Sequence, residues 1–187
     1  MSVDPHQDPG WLFALKRALP RARPGASTPA QGADALSTFR ALFLSLAAAP
    51  LLILVVMSFN FDVVGSPDPL LGAVVVAAGL AGAGVAAWTR AHPLEGSSAT
   101  ELAGSYRTLF FLGFGVNEIP LLLGFVLYLE HELWPYLAVL PLYLLGMILI
   151  APGRRNIDKR DEQLRLRGST ISLREALNEP NSANRSS

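Results

Sequence analysis

The chain contains no cysteine. Disulfides, thiolate-held metal clusters and cysteine nucleophiles are therefore excluded. Charge is also scarce: Asp, Glu, Lys and Arg make up 16% of the 187 residues, against about 25% in soluble domains. The three histidines, His6, His92 and His131, are too scattered to share a metal. No Ser/His/Asp arrangement, phosphate-cradling glycine loop or zinc signature occurs. With no nucleophile–base pair in view, an enzyme is not expected, and nothing implies a cofactor or metal. No solenoid-period repeat is present.

Apolar sequence takes the place of charge, at 51% of the chain. It is gathered into four runs, at about 41–59, 70–88, 108–129 and 133–151. Each is long enough to cross the hydrocarbon of a bilayer as a helix. The expected fold class is therefore all-α, a polytopic membrane protein with four transmembrane helices. Residues 1–40 form a Pro/Gly-rich tail, 41–151 the transmembrane domain and 152–187 a charged tail that is partly helical. The first run begins too far into the chain for a signal peptide, and its Ala47–Pro50 lies inside the run. Pro50 predicts a kink. The second run is rich in small residues. Gly79, Gly82 and Gly84, with Ala78 and Ala86, predict close helix packing. Arg90 to Arg107 reads as a polar loop, and Glu130-His131-Glu132 as a tight polar connection. Trp88, Tyr106, Tyr128 and Trp134 stand at span ends, where an interfacial aromatic belt is expected.

The net charge of zero conceals an asymmetry. Of the 15 Lys and Arg, five precede the first span, two lie in the 90–107 loop and eight follow the fourth span. The other two loops have none. By the positive-inside rule both termini and the 90–107 loop are cytoplasmic, in a plasma (inner) membrane.

Two stretches of the tails carry a pattern. In Trp11–Leu19 (WLFALKRAL), helical spacing puts Trp11, Leu12, Leu15 and Leu19 on one face, with Lys16, Arg17, Arg21 and Arg23 nearby. The segment reads either as an interfacial helix on an anionic leaflet or as a basic tail that only sets orientation. In the C-terminal tail, 154–167 is basic but interleaved with Asp158, Asp161 and Glu162. That pattern fits a solvated or protein-docking helix and not a nucleic-acid patch. Ser172 and Glu175 form a capping-box pattern for a short helix to about Asn178.

Glu118 is the only charged side chain inside any apolar run. A carboxylate at that depth costs about 2.5–3.5 kcal/mol on insertion scales, so it is normally paired, protonated or functional. Phe111, Gly115, Leu122 and Phe125 share its face, and Gly115 leaves a notch one turn away. Asn117 lies about 100° round, nearer Gly113 and Gly124, on a face suited to helix packing. Pro120 frees the carbonyl of Val116. Glu118 is thus a proton-binding candidate, supported by Asn117, Gly115 and Pro120. The competing reading makes it interhelical glue.

Residues 70–129 resemble the hairpin of subunit c, the proton-carrying subunit of rotary ATP synthases. The resemblance rests on Arg107-Thr108-Leu109-Phe110-Phe111-Leu112-Gly113 at the start of the third span. Glu118 stands eleven residues after Arg107, followed by Gly124-Phe125-Val126, and Arg90-Ala91-His92-Pro93 matches the loop. The first and fourth spans and both tails have no counterpart. The resemblance implies a proton-coupled membrane component with Glu118 as its carrier. The alternative is a non-catalytic structural or accessory subunit of a larger membrane complex. Partners are the lipid bilayer and either another membrane protein or a second copy, with no nucleic acid.

Overall fold

The computed structural model describes residues 11, 14–15, 35–59, 68–130 and 133–178. Among these residues the secondary structure is helical, with no strand. Helix α1 spans Ala35–Ser58 and contains Pro50. Helix α2, Pro69–Ala91, starts where the Asp68 carboxylate accepts the Leu71 N–H at 2.8 Å, with Pro69 in the first turn.

Helix α3, Ala99–Glu130, begins nine residues before the apolar run. Most of the expected 90–107 loop is thus helix, and only 92–98 connects α2 to α3. The cause is a cap at the junction. Ser98 Oγ accepts the Glu101 N–H at 3.3 Å, while Glu101 accepts from the Ser97 N–H and hydroxyl, both at 2.8 Å. Ser98 thereby satisfies an amide that the first turn leaves open, and the Glu101 carboxylate holds Ser97 in the turn before it. Gly96 makes the preceding turn at φ +155°, where a Cβ would meet the Leu102 amide nitrogen at 2.6 Å.

Helix α4, Trp134–Ile150, has 17 residues and spans roughly 25 Å, near the lower limit for crossing. Helix α5, Arg154–Leu166, follows at a 49° bend. By length and composition three helices can cross a membrane, or four if the bent α4–α5 pair is counted as one span. The chain is an all-α polytopic membrane protein. Helix α5 ends in a Schellman motif: Gly168, at φ +83°, donates to Arg165 O and Ser169 N donates to Leu164 O, both at 3.0 Å. Helix α6 is Leu173–Asn178.

The chain divides into two compact units. One comprises 1–46, 94–105 and 152–187; the other comprises 47–93 and 106–151. In the first, α5 turns Ile157, Arg160 and Leu164 inward at helical spacing, and α6 buries Leu173, Ala176 and Leu177. The capping box expected at Ser172 and Glu175 is replaced by a carboxylate from α5. Asp161 accepts both the Leu173 N–H and the Ser172 hydroxyl, the latter at 3.2 Å. The first amide of α6 is thus held by Asp161 and not by a local cap. Burial raises the Asp161 pKa, outweighing these bonds and the nearby Arg174, all of which lower it. Arg40, only 1% exposed, sends Nε to Pro152 O at 2.9 Å and stacks its guanidinium on Trp11.

In the second unit α2 runs parallel to α4, and α3 runs antiparallel to both. Cβ atoms built on Gly72 and Gly79 would touch Trp134 and Leu142 in turn, whereas Gly113 faces Ile150 and Gly124 faces Tyr136. The aromatic belt is corrected: Tyr106, Tyr128 and Trp134 are buried against protein, and only Trp88, at 51%, is exposed. Packing among helices claims the first three rings.

Candidate functional site: the polar centre of the membrane bundle

The third span carries its polar pair where α3 touches both α2 and α4. Asn117 is 1% exposed, and its Nδ2 donates to the Tyr143 carbonyl of α4 at 2.9 Å. Its carboxamide lies flat on Gly146, where a Cβ would collide with it. Among the described residues Asn117 Oδ1 has no hydrogen-bond partner. Instead it lies along a Cα–H direction of Gly146, a weak but recurrent interhelical contact. On the other side, a Cβ on Gly82 of α2 would sit 3.2 Å from Pro120 Cγ, 3.3 Å from Asn117 Cα and 3.4 Å from Val116 O. Gly82 therefore admits the α2 backbone to the carbonyl that Pro120 releases. Gly79 meets Leu142 in the same seam.

Gly84 and Gly115 do not join this packing: nothing lies within 4 Å of a Cβ built on either. The close-packed glycines are Gly79 and Gly82 with Gly113, Gly124 and Gly146. Gly146 carried no mark in the sequence, being one glycine in an apolar run. The available signal was Asn117 itself, since a carboxamide buried between helices needs a partner without a side chain.

Glu118, one residue on, turns away from this junction. It is part-exposed at the edge of the packed face. Phe111 and Leu122 on its face are 46% and 54% exposed, and Gly115 is open. Among the described residues no donor bonds the Glu118 carboxyl and no cation pairs with it. Tyr136 and Tyr143 of α4, each 1% exposed, lie within electrostatic reach of it. The Tyr136 hydroxyl donates to Pro50 O of α1 at 2.8 Å. The structure therefore brings Asn117, Pro120, Gly82 and Gly79 together, sets Glu118 beside them, and leaves Gly115 and Gly84 facing outward.

No group of three metal-ligating side chains occurs among the described residues. His131 and Glu132 of the polar connection lie outside them. The chain matches no protein-family model, no curated protein and no solved structure.

Proposed function

We propose that this membrane protein takes up and releases a proton at Glu118, as a proton-coupled, subunit-c-like membrane component and not as an enzyme. The observation that carries the reading is a division of labour between neighbours. If Glu118 were interhelical glue, it would hold another helix by hydrogen bonds. Asn117 does that instead, bonded to Tyr143 O and buried. Glu118 is left at the edge of the bundle beside the open Gly115 notch. A carboxyl so placed is desolvated by lipid yet reachable from the side.

The membrane orientation in this proposal is N-in/C-in across a plasma (inner) membrane. Thirteen of the fifteen Lys and Arg fall in the unit that gathers the N-terminal segment, residues 94–105 and the C-terminal tail. Three segments on one side require an even number of crossings between each pair, which makes α4 a span despite its 17 residues.

Carbodiimide labelling tests the reading. Modification should fall on Glu118 alone, weaken as pH rises, and vanish in Glu118→Gln. Absence of labelling at every pH, with Glu118→Gln retaining full activity in cells, would sink it. A second reading, an accessory subunit of a larger membrane complex, is favoured by the outward faces at Gly84 and Gly115. It predicts one stoichiometric partner on purification in mild detergent, and a lone monomer counts against it.

A further inference from the structure

Helix α5 carries a second inference, independent of Glu118. Along 154–167 the sequence interleaves six Lys and Arg with Asp158, Asp161 and Glu162. The structure sorts these charges by face, and each carboxylate is engaged. Asp158 pairs with Arg154 at 3.7 Å and with Arg174 of α6. Glu162 pairs with Arg165 at 2.8 Å. Asp161 is turned to the Leu173 N–H and the Ser172 hydroxyl. Arg160 is buried with Ile157 and Leu164. Among the described residues Arg155 and Lys159 have no ion-pair partner. Both are exposed, one turn apart, on the side of the helix opposite Ile157 and Leu164. Glu162 shares that side, but Arg165 neutralises it. The other basic stretch of the tails, Lys16, Arg17, Arg21 and Arg23, lies outside the described residues, as do Leu12 and Leu19 of the apolar pattern beside it.

We propose that Arg155 and Lys159 bind the phosphates of anionic lipid headgroups at the membrane surface. The occupant follows from charge complementarity and from depth. The start of α5 is tied to the edge of the first span. Arg40, one residue before the apolar run that begins at Ala41, donates Nε to Pro152 O at 2.9 Å. Arg40 is 1% exposed, so this tie is buried. Gly153, the next residue, caps α5. Arg155 and Lys159 follow Gly153 by two and six residues. Along the helix they therefore stand no more than about 9 Å from it, whatever its tilt. That distance is close to the Debye length of about 8 Å, within which an anionic leaflet attracts cations. Both charges also sit at the ends of long flexible stems that reach toward the surface. Each cation should contribute about fivefold to the local preference for anionic over zwitterionic lipid.

The absence of cysteine makes the test direct. Gln163→Cys, exposed and one turn beyond Lys159, carries an environment-sensitive dye in the full-length chain in nanodiscs. Quenching by phosphatidylglycerol with a nitroxide high on its acyl chain is compared with quenching by phosphatidylcholine bearing the same label. The proposal expects local enrichment of the anionic lipid and its loss at high salt. The enrichment should fall by about 25-fold with Arg155→Gln/Lys159→Gln. It should survive in Arg155→Lys/Lys159→Arg, which keeps both charges. Equal quenching by the two lipids overturns the proposal and leaves this face to a protein partner. A preference indifferent to the Gln pair overturns it as well. A dye shift reproduced by inorganic phosphate in phosphatidylcholine discs also overturns it, because the ligand would then be a free anion.

Discussion

Asn117 and Glu118 are adjacent, both polar and at the same depth, yet a rotation of about 100° gives them different work. Asn117 faces Gly146 and Tyr143, and Glu118 faces Gly115 and the lipid side. Substitutions at single glycines separate the two faces. Gly146→Ala places a methyl into the Asn117 carboxamide, whose hydrogen bond leaves it little room to yield. The expected loss is about 1–3 kcal/mol, read as a lower unfolding midpoint in detergent. Gly84→Ala meets nothing and gains helix propensity, so its midpoint should hold or rise by up to about 1 kcal/mol. Equal behaviour of the two variants contradicts the packing described. Asn117→Ala should cost about 1 kcal/mol by removing the bond to Tyr143 O.

At the scale of elements, the helix ends hold what hydropathy does not register. An apolar run locates a helix only where lipid requires it, so α3 was expected to start at Thr108. The Ser98–Glu101 cap extends it through polar residues to Ala99. That signature stands in the sequence, inside a stretch whose Gly and Ser content reads as loop. Ser98→Ala should cost about 1 kcal/mol and fray the first turn, measured as faster amide exchange at 99–102. The opposite error occurred at α6, where Asp161, eleven residues upstream of Ser172, takes the Leu173 N–H and draws the Ser172 hydroxyl toward itself, in place of the legible capping box. A tertiary contact of that kind leaves no local trace. Asp161 also gives α6 a pH dependence. Its pKa is raised in the folded state, so the fold binds this proton more tightly than the unfolded chain. The contribution is present at low pH and is lost as pH rises from the ordinary carboxylate value through the raised one. Exchange protection of α6 should therefore gain on acidification across that window, and Asp161→Asn should remove this part of the dependence. A wild-type profile identical to that of Asp161→Asn contradicts the burial of this carboxyl.

For the whole molecule, the all-α membrane class was legible because lipid tolerates few alternatives to a long apolar helix. The small-residue seams were legible in part: Gly79 and Gly82 through their spacing, but not which glycines face outward, since that depends on the rotation of α2 against α4. The interfacial aromatics misled for the same reason, with Tyr106, Tyr128 and Trp134 taken up by protein. The four-span orientation makes its own prediction in this cysteine-free chain. Single cysteines at Ser97 and Ser169 should react with an impermeant maleimide from the same face, and one at Asp68 from the other. Reaction of Asp68→Cys from the Ser97 side would leave α2 uncrossed.

The central claim is that Glu118 exchanges a proton from within the bilayer. Infrared difference spectra of the protein in lipid, recorded across a pH step, measure this most directly. The account predicts a carboxylic C=O band that appears on acidification, persists in Asn117→Ala and disappears in Glu118→Gln. A spectrum with no such band, or one unchanged by Glu118→Gln, would contradict it.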